Sequence, residues 1–219
     1  MKPRHPPTPD RAGPEQSLAA GLEALALRLP AGTDGRLLAF VRLLAKWNAV
    51  YNLTAVREPG EMVVRHLLDS LAVAPFLKSP LVLDIGTGAG LPGIPLALAC
   101  PDFHFVLLDS NAKKTRFLAQ AAAELGLANV EVVQGRVEKY RGARKFDTIL
   151  SRAFGRIADM LAASGHLAAP GGRFLAMKGR YPEEELAALP PGYAVRAVRR
   201  LSVPGLNAAR HVVIITTGN

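Results

Sequence analysis

At 219 residues, 49% of them hydrophobic, the chain suits one globular domain with a small appended subdomain. Cys100 is the only cysteine, which excludes an intrachain disulfide and a cysteine metal cluster and favours a cytoplasmic address; no apolar run reaches the ~18 residues of a membrane span, and no signal-peptide core follows the start. Lys plus Arg, 27, against Asp plus Glu, 18, gives a formal charge of +9, which favours a polyanionic partner. Residues 1–16 contain five prolines with charges between them and read as a disordered tail. Two helices follow, Ser17 to Leu29 and Gly35 to Val50, with Leu37, Phe40, Val41, Leu44 and Trp47 at helical spacing. Trp47 lies in that apolar stripe and reads as a packing residue. A loop from Asn48 to Arg57 and a third helical region, Pro59 to Leu77, complete a helical cap over residues 17–78.

The core, residues 79–219, opens on Leu81–Gly93, LVLDIGTGAGLPG. Leu81, Val82 and Leu83 form a run without polar alternation, as in a strand buried on both faces of a parallel sheet. Asp84 ends the run. Gly86, Gly88 and Gly90 then allow a sharp turn and a close approach to a ligand at the strand's carboxyl end, with a helix from Leu91 to Ala99 beyond it. The glycines also satisfy the dinucleotide pattern G-x-G-x-x-G, so a nicotinamide cofactor stays open on spacing alone. Charge favours another ligand. A pyrophosphate beside Asp84 is poorly placed, whereas S-adenosylmethionine carries an ammonium and a sulfonium and no phosphate. The D-x-G-x-G stretch resembles that of class I methyltransferases.

Strands at Phe103–Asp109, Val130–Gln134, Phe146–Ser151 and Arg173–Lys178 alternate with helices at Ala112–Leu125, Arg156–Ala168 and Glu183–Leu189, which argues for βαβ units. Tyr193–Val203 and His211–Thr217 have no helix between them and are expected to pair antiparallel. The fold expected is α/β, a Rossmann-like class I S-adenosylmethionine-dependent methyltransferase with a mostly parallel seven-stranded sheet, a C-terminal antiparallel hairpin and an N-terminal helical cap.

Asp109, closing the second strand, is placed to accept ribose hydroxyls. Val137 and Glu138, past the third strand, are placed to flank an adenine. Arg152, after the fourth, suits a carboxylate or a phosphate. Residues 136–156 hold seven basic side chains, among them Arg141, Arg144 and Lys145, expected on the cofactor side. After the fourth strand the chain reads Ser151, Arg152, Ala153, Phe154, not the Asp/Asn-Pro-Pro-aromatic stretch of amino-directed base methyltransferases. Cys100 precedes the second strand, at the wrong end of the sheet for a nucleophile, and no metal constellation appears among five scattered histidines. An acceptor needing neither base nor nucleophile, such as guanine N7, fits these absences, and no residue is an evident catalyst.

The stretches NLTAVREPGEMVVRHLLDSLAVAPFL, LDIGTGAGLPGIPLA, LLDSNAKKTRFL, GRVEKY, FDTILSRAF, FLAMKG and RHVVII are similar to those of the bacterial small-subunit ribosomal RNA guanine-N7 methyltransferase family. The resemblance runs from about Ser17 to the C-terminus. It implies S-adenosylmethionine contacts at Gly86, Leu91, Val137, Glu138 and Arg152, substrate contacts at Asn52, Arg65, His66 and Lys178, and methylation of the guanine numbered 527 in 16S ribosomal RNA or the small ribosomal subunit. No metal and no membrane partner are expected from the residues, and a monomer is expected. A nicotinamide oxidoreductase, an inactive ribosome-binding protein and a small-molecule methyltransferase remain the alternatives at this point.

Overall fold

The computed structural model describes residues 13–78, 80–152 and 154–217. Residues 1–12 of the expected tail lie outside these. Its remainder is a correction: helix α1 (Pro14–Ala24) already begins at Pro14, whose missing N–H and preset φ suit a first helical position. Helix α2 (Thr33–Tyr51) follows. A continuous helical run then comprises α3 (Pro59–Met62), a π-helical segment (Val63–Leu68) and α4 (Asp69–Leu71).

Seven strands form one sheet: β1 (Leu81–Ile85), β2 (His104–Asp109), β3 (Val130–Gln134), β4 (Phe146–Ser151), β5 (Ala168–Lys178), β6 (Tyr193–Arg200) and β7 (His211–Thr217). Their order is β3-β2-β1-β4-β5-β7-β6. Strands β1 to β5 run parallel, and β7 lies antiparallel between β5 and β6, as the absence of a crossover helix there requires. Helices α5 (Gly93–Ala99), α6 (Ala112–Glu124), α7 (Ile157–Ser164) and α8 (Glu183–Ala187) complete the chain. Helix α5 starts two residues later than expected, after a cis Leu91–Pro92 bond. Strand β5 starts earlier than expected, taking in Gly171 and Gly172 and shifting register against β4 between Phe146 and Thr148.

Alternate residues of each strand point to opposite faces, and each face has its own covering. One buried cluster joins Val82, Leu107 and Leu150 to the cap residues Leu37, Phe40, Leu44 and Leu67. The other joins Leu83, Leu108 and Ile149 to Ile157 and Leu161 of α7. The cap is therefore packed into the sheet's own core. Arg36 donates to the Leu125 carbonyl at 2.6 Å, while Trp47 lies 5.5 Å from Phe117, so α2 runs antiparallel to α6. Among the described residues no helix is long and apolar enough to cross a membrane, and no group of three or more His, Cys, Asp or Glu is arranged to hold a metal ion.

The topology corrects one expectation about charge. With only a 3₁₀ turn (Val137–Lys139) between them, the chain from β3 must return to the amino end of the parallel strand β4 within residues 135–145. Arg144 and Lys145 thus stand at the end of the sheet opposite the glycine loop. There the Lys145 ammonium donates to the His166 carbonyl and an Arg141 nitrogen lies 3.1 Å from the His166 ring Nε2. Arg136 and Arg152 remain at the carboxyl end.

Candidate active site

The glycine loop is held from below. Gly86 N–H and Thr87 N–H both donate to the Leu108 carbonyl, at 2.8 and 3.2 Å, which fixes the end of β1 to the end of β2. Gly86, Gly88 and Gly90 adopt φ of +64°, +62° and +81°, a region that side chains oppose. They do different work. A Cβ on Gly86 would meet nothing within 4 Å, whereas one on Gly90 would collide with Ile94 and Leu118, and one on Gly93 with Leu107 and Asp84. The first leaves room for a ligand; the other two let α5 pack.

Asp84 is fully buried beneath this loop, not on its surface. Its Oδ2 accepts from the Thr87 hydroxyl at 2.6 Å and from Gly93 N–H at 2.9 Å, so it ties strand, loop and helix together. Its Oδ1 has no hydrogen-bond partner among the described residues. Burial pushes the carboxyl up from 3.8 to about 7, against the pull of those two donors and of Arg152. Asp109 shapes the next part of the rim: its oxygens accept from Gly88 N–H at 2.9 Å and Asn111 N–H at 2.8 Å, and the Lys114 ammonium lies 4.0 Å away. Leu91 and Val137 are buried and Glu138 is exposed. Val137 shares a core cluster with Ile85 and Leu108.

A cleft of about 340 Å³ opens between the cap and the carboxyl ends of β4 and β5, lined by Val56, Arg65, His66, Asp69, Arg152, Met177, Lys178, Gly179 and Arg210. Its centre is Asp69, buried, with one oxygen 2.9 Å from Arg210 Nε and the other 3.4 Å from an Arg152 nitrogen. That Arg152 nitrogen also donates to the Arg65 carbonyl at 3.2 Å. The adjacent Ser151 hydroxyl donates to the Ile85 carbonyl at 2.8 Å, which sets the cleft beside the glycine loop. The π-helical turn carries Arg65 and His66 into the cleft, and Asp69 follows directly; such turns recur at functional sites. His66 is buried, its Nε2 2.9 Å from the Thr54 hydroxyl and its Nδ1 unpartnered among the described residues. Burial, reinforced by Arg152, lowers its pKa from 6.5 to about 4, so the ring is neutral at pH 7.

The structure thus brings Arg65, His66, Arg152 and Lys178 into one cleft. Asn52 stands outside it, at the exposed end of α2 with φ +50°, accepting from Arg57 at 3.2 Å. Lys178 lines the cleft with its ammonium committed, 2.6 Å from the Gly155 carbonyl and 2.8 Å from Glu185. Sequence reading missed Asp69, Arg210 and Thr87. The one available signal for Asp69 is a carboxylate set among the apolar positions of a helix.

Solved structures share this architecture. The O-methyltransferase TomG from Streptomyces achromogenes, in complex with S-adenosylmethionine, aligns with a TM-score of 0.59 at 17% identity, covering 95% of this chain and 100% of that one. TrmN from Thermus thermophilus aligns with a TM-score of 0.54 at 23% identity over 71% of this chain and 53% of that one. Sheet order and loop are those of the class I S-adenosylmethionine-dependent methyltransferase fold. A family model described as rRNA small subunit methyltransferase G matches residues 34–213. Proteins named ribosomal RNA small subunit methyltransferase G are 53% identical in Nitrosococcus oceani, over 91% of this chain and 93% of the relative, and 52% identical in Aromatoleum aromaticum, over 91% and 97%. The chain belongs to the rRNA small subunit methyltransferase G family. It is an rRNA methyltransferase, and the nicotinamide alternative falls.

Proposed function

We propose that the enzyme methylates N7 of guanine 527 in 16S ribosomal RNA, acting as a cytoplasmic monomer on the small ribosomal subunit or its RNA. The observation that carries this reading is the cationic cleft built around a buried carboxylate beside the glycine loop. The residues fit S-adenosylmethionine as the donor. The space above Gly86 admits its amino-acid portion, Gly88 and Gly90 shape the turn, and Asp84, whose Oδ1 has no partner among the described residues, braces the loop from beneath. Asp109 would hold the ribose, Leu91, Val137 and Glu138 the adenine side, and Arg152 the carboxylate. When bound, the donor supplies an electrophilic methyl on sulfur.

The chain's own groups then have little proton chemistry to perform. Guanine N7 offers an in-plane lone pair with no hydrogen to remove, so the acceptor needs orientation more than a base. Neutral His66, in the cleft wall, adds no positive charge where the product acquires one. Arg65 and Arg210 supply cations for phosphate, with Asp69 fixing the geometry of Arg210 beside Arg152. Asn52, at the edge, is a contact for RNA outside the cleft.

Transfer of labelled methyl to small-subunit ribosomal RNA, followed by mapping of the modified nucleotide, tests this. The expected product is one N7-methylguanine at the assigned position; label on an exocyclic amine or on another base overturns the reading.

A further inference from the structure

A second surface beside the donor loop has no part in the site described above. At the end of α2, Val50 and Tyr51 are left in solvent at 69% and 39% exposure. The Tyr51 ring is not loose: it lies 5.2 Å from Trp47 at 31°, Trp47 lies 5.5 Å from Phe117, and Phe117 lies 6.2 Å from Phe40, so a ladder of rings runs from the core to the surface. Lys46, exposed, precedes Val50 by one helical turn, and Lys113, exposed, precedes Phe117 by one turn of α6. Because the two helices are antiparallel, both lysines fall at the same end of the pair as the tyrosine.

Charge is segregated along the pair. Asp34 and Glu124, the only acidic residues of α2 and α6, lie at the far end with Arg36, while Arg42, Lys46, Lys113, Lys114 and Arg116 lie toward the donor loop. Lys113 and Lys114 occupy the first turn of α6, where the helix dipole opposes cations, and no acidic residue shares that turn. An anionic partner relieves this repulsion. Lys114, 4.0 Å from Asp109, joins the patch to the rim of the donor site.

We propose that Val50, Tyr51, Lys46 and Lys113 form a second RNA contact, in which an unpaired nucleotide near the methylated one stacks on the Tyr51 face and the two lysines meet the adjoining phosphates. The proposal rests on the reading of the enzyme as an RNA methyltransferase. An aromatic face bordered by cations is the arrangement that holds single-stranded nucleic acid without reading its sequence. The RNA then spans the donor loop, held by the arginine cleft on one side and by this patch on the other.

The test is steady-state methylation of small-subunit ribosomal RNA by the full chain, with cofactor affinity and thermal melting measured alongside. Tyr51→Ala should raise KM for RNA by about tenfold or more with cofactor affinity retained, while Tyr51→Phe, which keeps the ring, should match the unaltered enzyme. Replacing Lys46 and Lys113 by Gln should reduce the salt slope of RNA binding by about two, one for each phosphate no longer neutralised. A folded Tyr51→Ala enzyme with unchanged KM overturns the proposal. If Tyr51→Ala does not fold, an unchanged KM and salt slope in the lysine double variant overturn it instead. An unaltered enzyme that methylates no RNA refutes the underlying function, a result distinct from either.

Discussion

Within thirteen residues, glycines of the same loop answer to different neighbours. Gly86 needs its freedom for φ, and a Cβ there would enter open space, which the proposed function gives to the donor; Gly93 needs it because Leu107 and the Asp84 carboxylate occupy the position of its Cβ. Gly86→Ala should cost about 1–2 kcal/mol of stability from the left-handed backbone alone. Its methyl projects into the donor's approach, so donor affinity should fall by at least about tenfold. Gly93→Ala should also lose stability, roughly 1–3 kcal/mol from overpacking against Leu107 and Asp84, but with donor affinity largely kept. Urea denaturation paired with equilibrium binding of S-adenosylmethionine separates the two. Asp69 shows a third kind of dependence, in which one buried carboxylate sets the direction of two guanidiniums.

The element that carries His66 and the strand that carries Asp84 respond to pH in opposite directions. Asp84, raised by burial from 3.8 to about 7, keeps in the folded state a proton that the unfolded chain has lost. Its contribution to stability is therefore complete below pH 3.8 and disappears as the pH rises through about 7. His66, lowered by burial and by Arg152 from 6.5 to about 4, is protonated first in the unfolded chain. Its contribution is complete above pH 6.5 and is lost as the pH falls through about 4. The two gradients overlap and oppose each other. Asp84→Asn should leave stability rising with pH across this window, and His66→Gln should leave it falling. Thermal melts from pH 4 to pH 7 decide both.

For the whole molecule, the position of a basic residue relative to the sheet matters more than the total charge of +9. Arg210 faces the cleft beside the donor loop, whereas Lys145 precedes β4 at the opposite end and donates to the His166 carbonyl. Arg210→Gln should weaken RNA binding and flatten its salt dependence by about one slope unit. Lys145→Gln should leave that slope unchanged, although sequence alone counts both as members of a basic chain. Titrating binding against salt for the two variants distinguishes them.

Much of this architecture is readable before folding. The apolar run at Leu81, the glycine spacing after Asp84, the recurrence of strand and helix, and the missing crossover before His211 are patterns of near neighbours. Backbone conformation and burial respond to near neighbours directly, so strand limits at Val130–Gln134, Phe146–Ser151 and His211–Thr217 agree with the structure to the residue. The donor class follows from the same short stretch. What only the tertiary structure decided is which distant charges meet. Asp69 is 83 residues from Arg152 and 141 from Arg210, and they join because β4 and β7 both deliver an arginine to the cap-facing end of one sheet. Strand order and the return path of residues 135–145 likewise sent Lys145 to the other end. Those outcomes depend on long-range pairing and on desolvation of the groups it encloses, neither of which any local stretch of chain encodes by itself.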